Sequence, residues 1–252
     1  MTRARPVGIV SGMRLEARIA RRHMRGVAVA CHGMGPRRAA RAAQELVRRG
    51  ASGLVSFGMA GGLTAEARPG LLVVPAAIHA PDGRTFPTTT PWRRRAVERL
   101  APLAGISEAP LASFEHPLTS YLDKATAWAR AQAMAADMES AAIAEVARAH
   151  RLPFIALRAI VDPLDFTLPP AAIRSMGRNG RLNPLRLVIS LLADRRQVSA
   201  LRELSGHAAA ARKTLEATAR AFGGIHPPDN GSTLRRSKRR DGNSALHMKK
   251  GR

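Results

Sequence analysis

The 252-residue sequence predicts an α/β domain, a sheet covered by helices on both faces, and three observations carry that prediction. Over the first 165 residues, short and continuously apolar runs alternate with amphipathic stretches at helical spacing. After Pro169-Pro170 the pattern turns helical throughout. From His226 onward, Pro, Asp, Asn, Gly, Ser and basic residues leave almost nothing to bury, which reads as a disordered tail. The expected organisation is therefore one α/β domain over 1–224, with a helical end from 171, and a basic tail over 225–252.

Taken in order, Val7–Val10 and Val27–Cys31 read as the first two strands, each closed by Ser or Gly chemistry. Pro36–Arg49 reads as a helix: Ala39, Ala42, Ala43, Leu46 and Val47 form one stripe with arginines opposite, and Pro36 suits the first turn. Gly53–Phe57 and Leu71–Ile78 read as strands, Pro91–Leu100 and Tyr121–Arg130 as helices. Met134–Ala136, the helix Met138–His150 and the strand Phe154–Val161 complete the alternation. The helical end comprises Ala171–Met176, Pro184–Ala193 and Arg195–Phe222, the last closed by Gly223-Gly224.

Composition excludes several classes. Apolar residues make up 45%, enough for a sizeable core. No apolar run nears the roughly 18 residues of a membrane span. The best candidate, Leu185–Ala193, is interrupted by Arg186, and Val7–Val10 is too short for a signal peptide. One cysteine, Cys31, rules out an intramolecular disulfide, so a reducing cytoplasm is the expected setting. The 41 basic residues, all but five of them arginine, stand against 18 acidic ones for a net charge of +23. Such a field suits an anionic membrane surface or nucleic acid. Nine aromatics, not interleaved with the basic residues, argue against a single-strand groove, and no specific nucleic-acid partner is expected.

In sheets of this class, ligands lie beyond the carboxyl ends of the strands. Glu16, Asp137, Glu139, Asp162 and Asp165 all fall within a few residues of strand ends, beside the glycine turns Gly33-Met34-Gly35 and Gly58-Met59-Ala60-Gly61-Gly62. Carboxylates with exposed backbone amides suit a small polyhydroxylated or nitrogenous ligand. Taken singly, each has a plainer reading: Asp137 as a helix N-cap, Glu139 as a partner of the helix dipole, Asp162 as a turn former before Pro163. The set is the signal.

Other chemistries fall away. There is no phosphate loop, and His32-Gly33-Met34-Gly35-Pro36-Arg37 lacks the third glycine of a dinucleotide fingerprint. Leu54-Val55-Ser56-Phe57-Gly58 has Leu where a nucleophile elbow needs Gly, so a Ser56/Asp162/His207 triad is set aside. The eight histidines show no metal-ligand spacing; neither a metal nor a cofactor is expected.

Four ordered segments over residues 7–173 resemble the nucleoside phosphorylase/nucleosidase superfamily. Gly8-Ile9-Val10-Ser11-Gly12-Met13-Arg14-Leu15-Glu16 is similar to the opening strand and acidic loop of methylthioadenosine/S-adenosylhomocysteine nucleosidases. His32–Gly35 and Phe57–Leu63 resemble the two glycine turns. Ala136-Asp137-Met138-Glu139-Ser140-Ala141-Ala142 resembles the ribose-binding helix start, and Arg158–Asp165 the strand end with the catalytic aspartate. Within the superfamily, Asp162-Pro163-Leu164-Asp165 with Leu168–Ala172 and an Arg/Leu-rich helical end looks most like the hopanoid-associated phosphorylases.

The resemblance implies a three-layer fold around a central mixed, twisted sheet, and an enzyme that cleaves a purine N-glycosidic bond. It casts Asp162 as the general acid at purine N7, its pKa raised by burial beside Asp165 or the ligand, and Glu16 as the base that activates water. Glu139 is then the acceptor for the ribose hydroxyls, Met138 the side chain packed on the sugar, and Asp137 and Gly61 contribute to the same subsite. Phe114 is the available aromatic for the base. Hydrolysis is expected over phosphorolysis, with inorganic phosphate as the alternative co-substrate. The places that hold arginine, arginine and serine in the hexameric phosphorylases here hold Glu16, Ser56 and Met59, and Glu16 would repel a phosphate dianion.

The leading substrate is adenosylhopane, giving ribosylhopane, or phosphoribosylhopane if phosphate attacks. Transient contact with an anionic bilayer follows from it, placing the protein in the cytoplasm or at the membrane periphery. A methylthioadenosine/S-adenosylhomocysteine nucleosidase, or another purine nucleoside phosphorylase, is the rival enzyme. A non-catalytic nucleic-acid-binding protein is the rival of another class. A homo-oligomer is expected from the family.

Overall fold

The computed structural model describes residues 5–103, 105–175, 197–223 and 225–228. The strands are β1 (Val7–Val10), β2 (Val27–Ala30), β3 (Leu54–Gly62), β4 (Leu72–Val73), β5 (Ala77–His79), β6 (Thr85–Pro87), β7 (Ile106–Ser107), β8 (Leu111–Ser113), β9 (Ala135–Asp137) and β10 (Phe154–Asp162). The helices are α1 (Arg14–His23), α2 (Pro36–Arg48), α3 (Thr90–Leu100), α4 (Tyr121–Ala131), α5 (Ser140–Ala149), α6 (Pro170–Ser175) and α7 (Gln197–Ala221).

All ten strands join one mixed sheet, in the order β6-β5-β8-β9-β3-β10-β4-β7, with β1 also paired to β3 and β2 to β1. The long strands β3 and β10 run parallel at its centre, and their register shifts between Ile160 and Asp162. Beyond them β9 pairs antiparallel to the end of β3, and β4 antiparallel to β10. Residues buried on both faces explain why these strands read as unbroken apolar runs rather than as alternation.

Three layers form as expected. On one face α2 and α5 pack Ala39, Ala42, Ala43, Leu46 and Ile143 into a core of small and branched side chains. On the other, α1, α3 and α7 bring Ile19, Ala20, Trp92, Leu215, Ala219 and Phe222 against Val55, Phe57 and Leu157. A smaller cluster under α4 holds Ala127 against Leu63, Ala112 and Ala136. Ile225, expected at the start of the tail, is buried in the second core, and its carbonyl accepts the Trp92 indole N–H at 3.3 Å.

Three expectations are corrected. Leu71–Ile78 is not one strand: Pro75 divides it, and β4 pairs with β10 and β7 while β5 pairs with β6 and β8. The acidic loop after β1 is the first turn of a helix, α1, whose apolar face is only Leu15, Ile19 and alanines among arginines. The helix of the Met138–His150 segment begins at Ser140, so Met138 and Glu139 precede it and are free to face the sheet edge. The expected helix Pro184–Ala193 and residues 229–252 of the expected tail lie outside the described residues. No helix among the described residues is long and apolar enough to cross a membrane.

Candidate active site

The site is built from the ends of β1, β3, β9 and β10, with α1, α4 and α5 supplying first-turn residues. Glu16 is the third residue of α1, where its carboxylate accepts the Met13 N–H at 2.8 Å and closes the helix end. Its other oxygen accepts the Met59 N–H, also at 2.8 Å, from the far end of β3. Each oxygen keeps an acceptor position beyond the one these amides use. Burial raises the Glu16 carboxyl to about 7, against the opposing pull of Arg158 and the two amides.

Glu139 immediately precedes α5 and is likewise buried. It accepts the Gly35 N–H at 2.9 Å from the loop between β2 and α2. Gly35 has φ of +98°, a conformation glycine adopts without strain and which turns that amide toward Glu139. Burial raises the Glu139 carboxyl above the usual range; Arg158 opposes the rise and Asp137 adds to it.

Arg158 ties these acids together from β10. Only 1% exposed, it reaches Asp137 at 2.7 Å and Glu139 at 3.3 Å, and donates to Ser56 Oγ at 2.8 Å and to the Met59 carbonyl at 3.3 Å. Burial opposes its charge, but the carboxylates of Asp137, Glu139 and Glu16 more than offset that, so it stays firmly protonated. Asp137 is saturated: besides Arg158 it accepts from Ser113 Oγ at 2.6 Å, from the Glu139 and Ser140 amides and from Ser140 Oγ. Its expected place in the sugar subsite becomes a supporting one, since it aligns Arg158 and caps α5.

Asp162 ends β10. Its carboxylate lies 2.8 Å from the ammonium of Lys124, a side chain 1% exposed on α4. The same ammonium donates to the carbonyls of Pro163 at 2.6 Å and Phe166 at 2.9 Å. Burial pushes the Asp162 carboxyl up, with Lys124 pulling it down. Asp165, expected to help raise it, is exposed instead. Gly61 lies against Asp162: a Cβ there would sit 3.1 Å from Oδ2.

Met138 and Phe114 are half-buried at the same sheet edge. Phe114 follows β8, where its N–H donates to the Asp137 carbonyl at 2.8 Å and its ring packs on the cluster under α4. The structure thus gathers Glu16, Gly61, Phe114, Asp137, Met138, Glu139 and Asp162 from five segments onto one edge. Ser56, bonded to Arg158 and Ser140, belongs to the arginine network and not to a triad. Sequence reasoning gave no role to Arg158 or Lys124. The available signal was scarcity: a chain that writes nearly every cation as arginine keeps lysine at only two places before its tail, 124 and 213.

Comparison with known proteins agrees with this architecture. No curated relative matches the chain. The fold is similar to futalosine hydrolase of Helicobacter pylori strain 26695, at 17% identity and a TM-score of 0.64, covering 85% of this chain and 97% of that one. It is similar to the 5′-methylthioadenosine/S-adenosylhomocysteine nucleosidase of Neisseria meningitidis in complex with methylthio-immucillin-A, at 18% identity and a TM-score of 0.64, covering 86% and 99%. The corresponding nucleosidase of Colwellia psychrerythraea 34H in complex with adenine gives 17% identity and a TM-score of 0.60, covering 87% and 96%. The family description "Phosphorylase superfamily" matches residues 8–193. On that match, which covers well over half of the chain, the chain belongs to the phosphorylase superfamily and is an enzyme of N-glycosidic bond cleavage.

Proposed function

We propose that the chain hydrolyses the N-glycosidic bond of a 5′-modified adenosine and releases adenine. The observation that carries the reading is the Glu16 carboxylate, held by two amides with its pKa near 7 and acceptor capacity to spare. That is a base poised to take a proton from water at neutral pH. Neither buried cation of this edge is free for a phosphate dianion: Arg158 is shared among carboxylates and Lys124 is engaged by Asp162.

In this reading Glu139 accepts hydrogen bonds from the ribose hydroxyls, and Met138 packs on the sugar. Asp162 donates its proton to N7, which turns the purine into a better leaving group as the C1′–N9 bond breaks. Glu16 takes a proton from the water that attacks C1′. Phe114 offers the ring for the base. Protonated Asp162 and ionised Glu16 are required together, and acid–base catalysis of this kind contributes about 10²–10⁴-fold.

The 5′ substituent we favour is a hopane, so that adenosylhopane gives ribosylhopane in hopanoid biosynthesis. The resemblance of the Asp162–Asp165 turn and the helical end to the hopanoid-associated enzymes supports this. So does a cavity of about 400 Å³ lined by Arg14, Arg18, Arg21 and Cys31, which suits contact with an anionic bilayer that carries such a lipid. The test is adenine release, followed by liquid chromatography, from adenosylhopane in detergent and from methylthioadenosine, each with and without phosphate. Release from the lipid without phosphate is expected. A strict phosphate requirement overturns the hydrolytic reading, and release from methylthioadenosine alone overturns the lipid.

A further inference from the structure

We propose that Lys124 is a positioning residue for the general acid, a buried ammonium that fixes the Asp162 turn and receives the charge left on Asp162 when the proton leaves. The inference rests on the nucleosidase reading above. Its grounds are geometric. An ammonium has three hydrogens, and Lys124 has three partners: Asp162 Oδ2 at 2.8 Å, the Pro163 carbonyl at 2.6 Å and the Phe166 carbonyl at 2.9 Å. All three belong to one stretch of five residues, which runs from the last residue of β10 into the turn that follows it. Lys124 itself sits on α4, anchored by the Ser120/Asp123 capping box at the helix start. The turn is therefore clamped from outside, by an element that enters the sheet edge from another part of the chain.

A fully buried charge is costly unless paired and hydrogen-bonded, so a lysine placed here has a use specific to the charge. Two apolar residues would hold the turn as well. What they would not do is answer the change of charge in the reaction. When the Asp162 O–H bond breaks and N7–H forms, the carboxylate that remains lies 2.8 Å from the ammonium. Before that step the same ammonium opposes protonation, so it sets the pH above which Asp162 no longer holds a proton. Other groups that face Asp162 are few. From α7, His207 packs edge-on against Phe166 with ring centroids 5.1 Å apart, and Glu203 lies 3.8 Å behind it. From β3, Gly61 is uncharged. Arg158, earlier on β10, is committed to Asp137 and Glu139.

The experiment compares wild type, Lys124→Met, Asp162→Asn and the double variant, with pH profiles of base release and thermal unfolding of each. Release by wild type, reduced to a low residual rate in Asp162→Asn, is the control on the nucleosidase reading. Lys124→Met is expected to lower kcat about a hundredfold while moving the alkaline limb of the profile up by about one pH unit or more, with KM changed less than about threefold. The displacement is expected again in a His207→Gln background, which removes the other titratable ring facing Asp162. In the Asp162→Asn background, Lys124→Met is expected to cost no further activity, and this pair, free of an orphaned charge, remains measurable if the single variant folds poorly. An alkaline limb that stays in place, or the same loss in both backgrounds, overturns the proposal and leaves Lys124 a purely structural clamp.

Discussion

Glu16 and Arg158 meet across the α-carbon of Gly58: a Cβ built there would lie 2.6 Å from Glu16 Oε1 and 2.6 Å from Arg158 Nη1. Neither side chain can swing aside, because Glu16 is held by two amides and Arg158 by Asp137, Glu139 and Ser56. This glycine, within β3, is thus a spacing device between a carboxylate and its counter-charge. Gly58→Ala is expected to lower kcat/KM at least tenfold and stability by about 1–3 kcal/mol. Steady-state base release and a urea melt read both. Unchanged activity would mean that the carboxylate has slack the structure does not show.

In the proposed mechanism the pH dependence of activity is expected to have its acid limb at Glu16. With its carboxyl raised to about 7, the base is ionised only above that pH, and kcat/KM rises through it. Glu16→Gln removes the limb along with most of the rate.

The same shift has a sign in stability. A carboxyl raised in the folded state binds a proton there that the unfolded chain has released, so its contribution is fully present below pH 4.5 and is lost as pH rises through about 7. The loss amounts to about 3 kcal/mol. Urea melts at pH 5 and pH 8 are therefore expected to show Glu16→Gln gaining on wild type at the higher pH. A constant difference between the two proteins would contradict the burial of this acid.

Arg158 is the counter-charge for three buried carboxylates, so its loss leaves Glu16, Asp137 and Glu139 uncompensated. Arg158→Leu is expected to destabilise the fold by about 3–5 kcal/mol. The deficit should shrink on acidification, because the Glu16 and Glu139 carboxyls, raised further without the guanidinium, take up protons in the folded state. Arg158→Lys is not expected to restore stability, since one ammonium lacks the planar spread that reaches Asp137, Ser56, Glu139 and the Met59 carbonyl at once.

Truncation locates the end of the packed chain. Removal of residues 229–252 is expected to leave thermal stability within about 0.5 kcal/mol. Removal from Ile225 onward strips a buried side chain from the core and the acceptor from the Trp92 indole, an expected loss of about 2–4 kcal/mol. Equal melts for the two truncations would place the boundary before Ile225.

How much of this was legible depends on how local the cause is. The strands β1, β2 and β10 and the helix α2 follow from runs and stripes that lie within a single window, and the structure places them within one residue of the reading at nearly every end. Helix α1 did not show, because its apolar face is thin and arginines fill the rest. Strands β6, β7 and β8, of two or three residues, are too short to display a period. Pro75 was visible in the Leu71–Ile78 run, yet only the separate partners of β4 and β5 make it a break.

The acids of the site were legible as strand-end residues; their surroundings were not. The amide that steadies Glu16 is 43 residues away, at Met59, and the one that steadies Glu139 is 104 residues away, at Gly35. Lys124 meets Asp162 from α4, a helix that packs on Leu63, Ala112 and Ala136, and no spacing encodes that relation. Asp137 carried its plainer reading truly: it caps α5, and its remaining capacity goes to Arg158.

The place of β10 in the sheet has a consequence for the chain as it is made. This strand lies between β3 and β4, and it carries both Arg158 and Asp162. A ribosome delivers Glu16, Asp137 and Glu139 before the guanidinium that neutralises them, so a nascent chain that has reached α5 has negative charge to hide and nothing to hide it with. Burial of those acids must await a strand that inserts into a gap between neighbours already synthesised, and α7 must then close over the back. The reactive edge is accordingly among the last parts of the molecule to become solid, and an arrested or clipped chain lacking β10 will have most of the sheet and none of the chemistry.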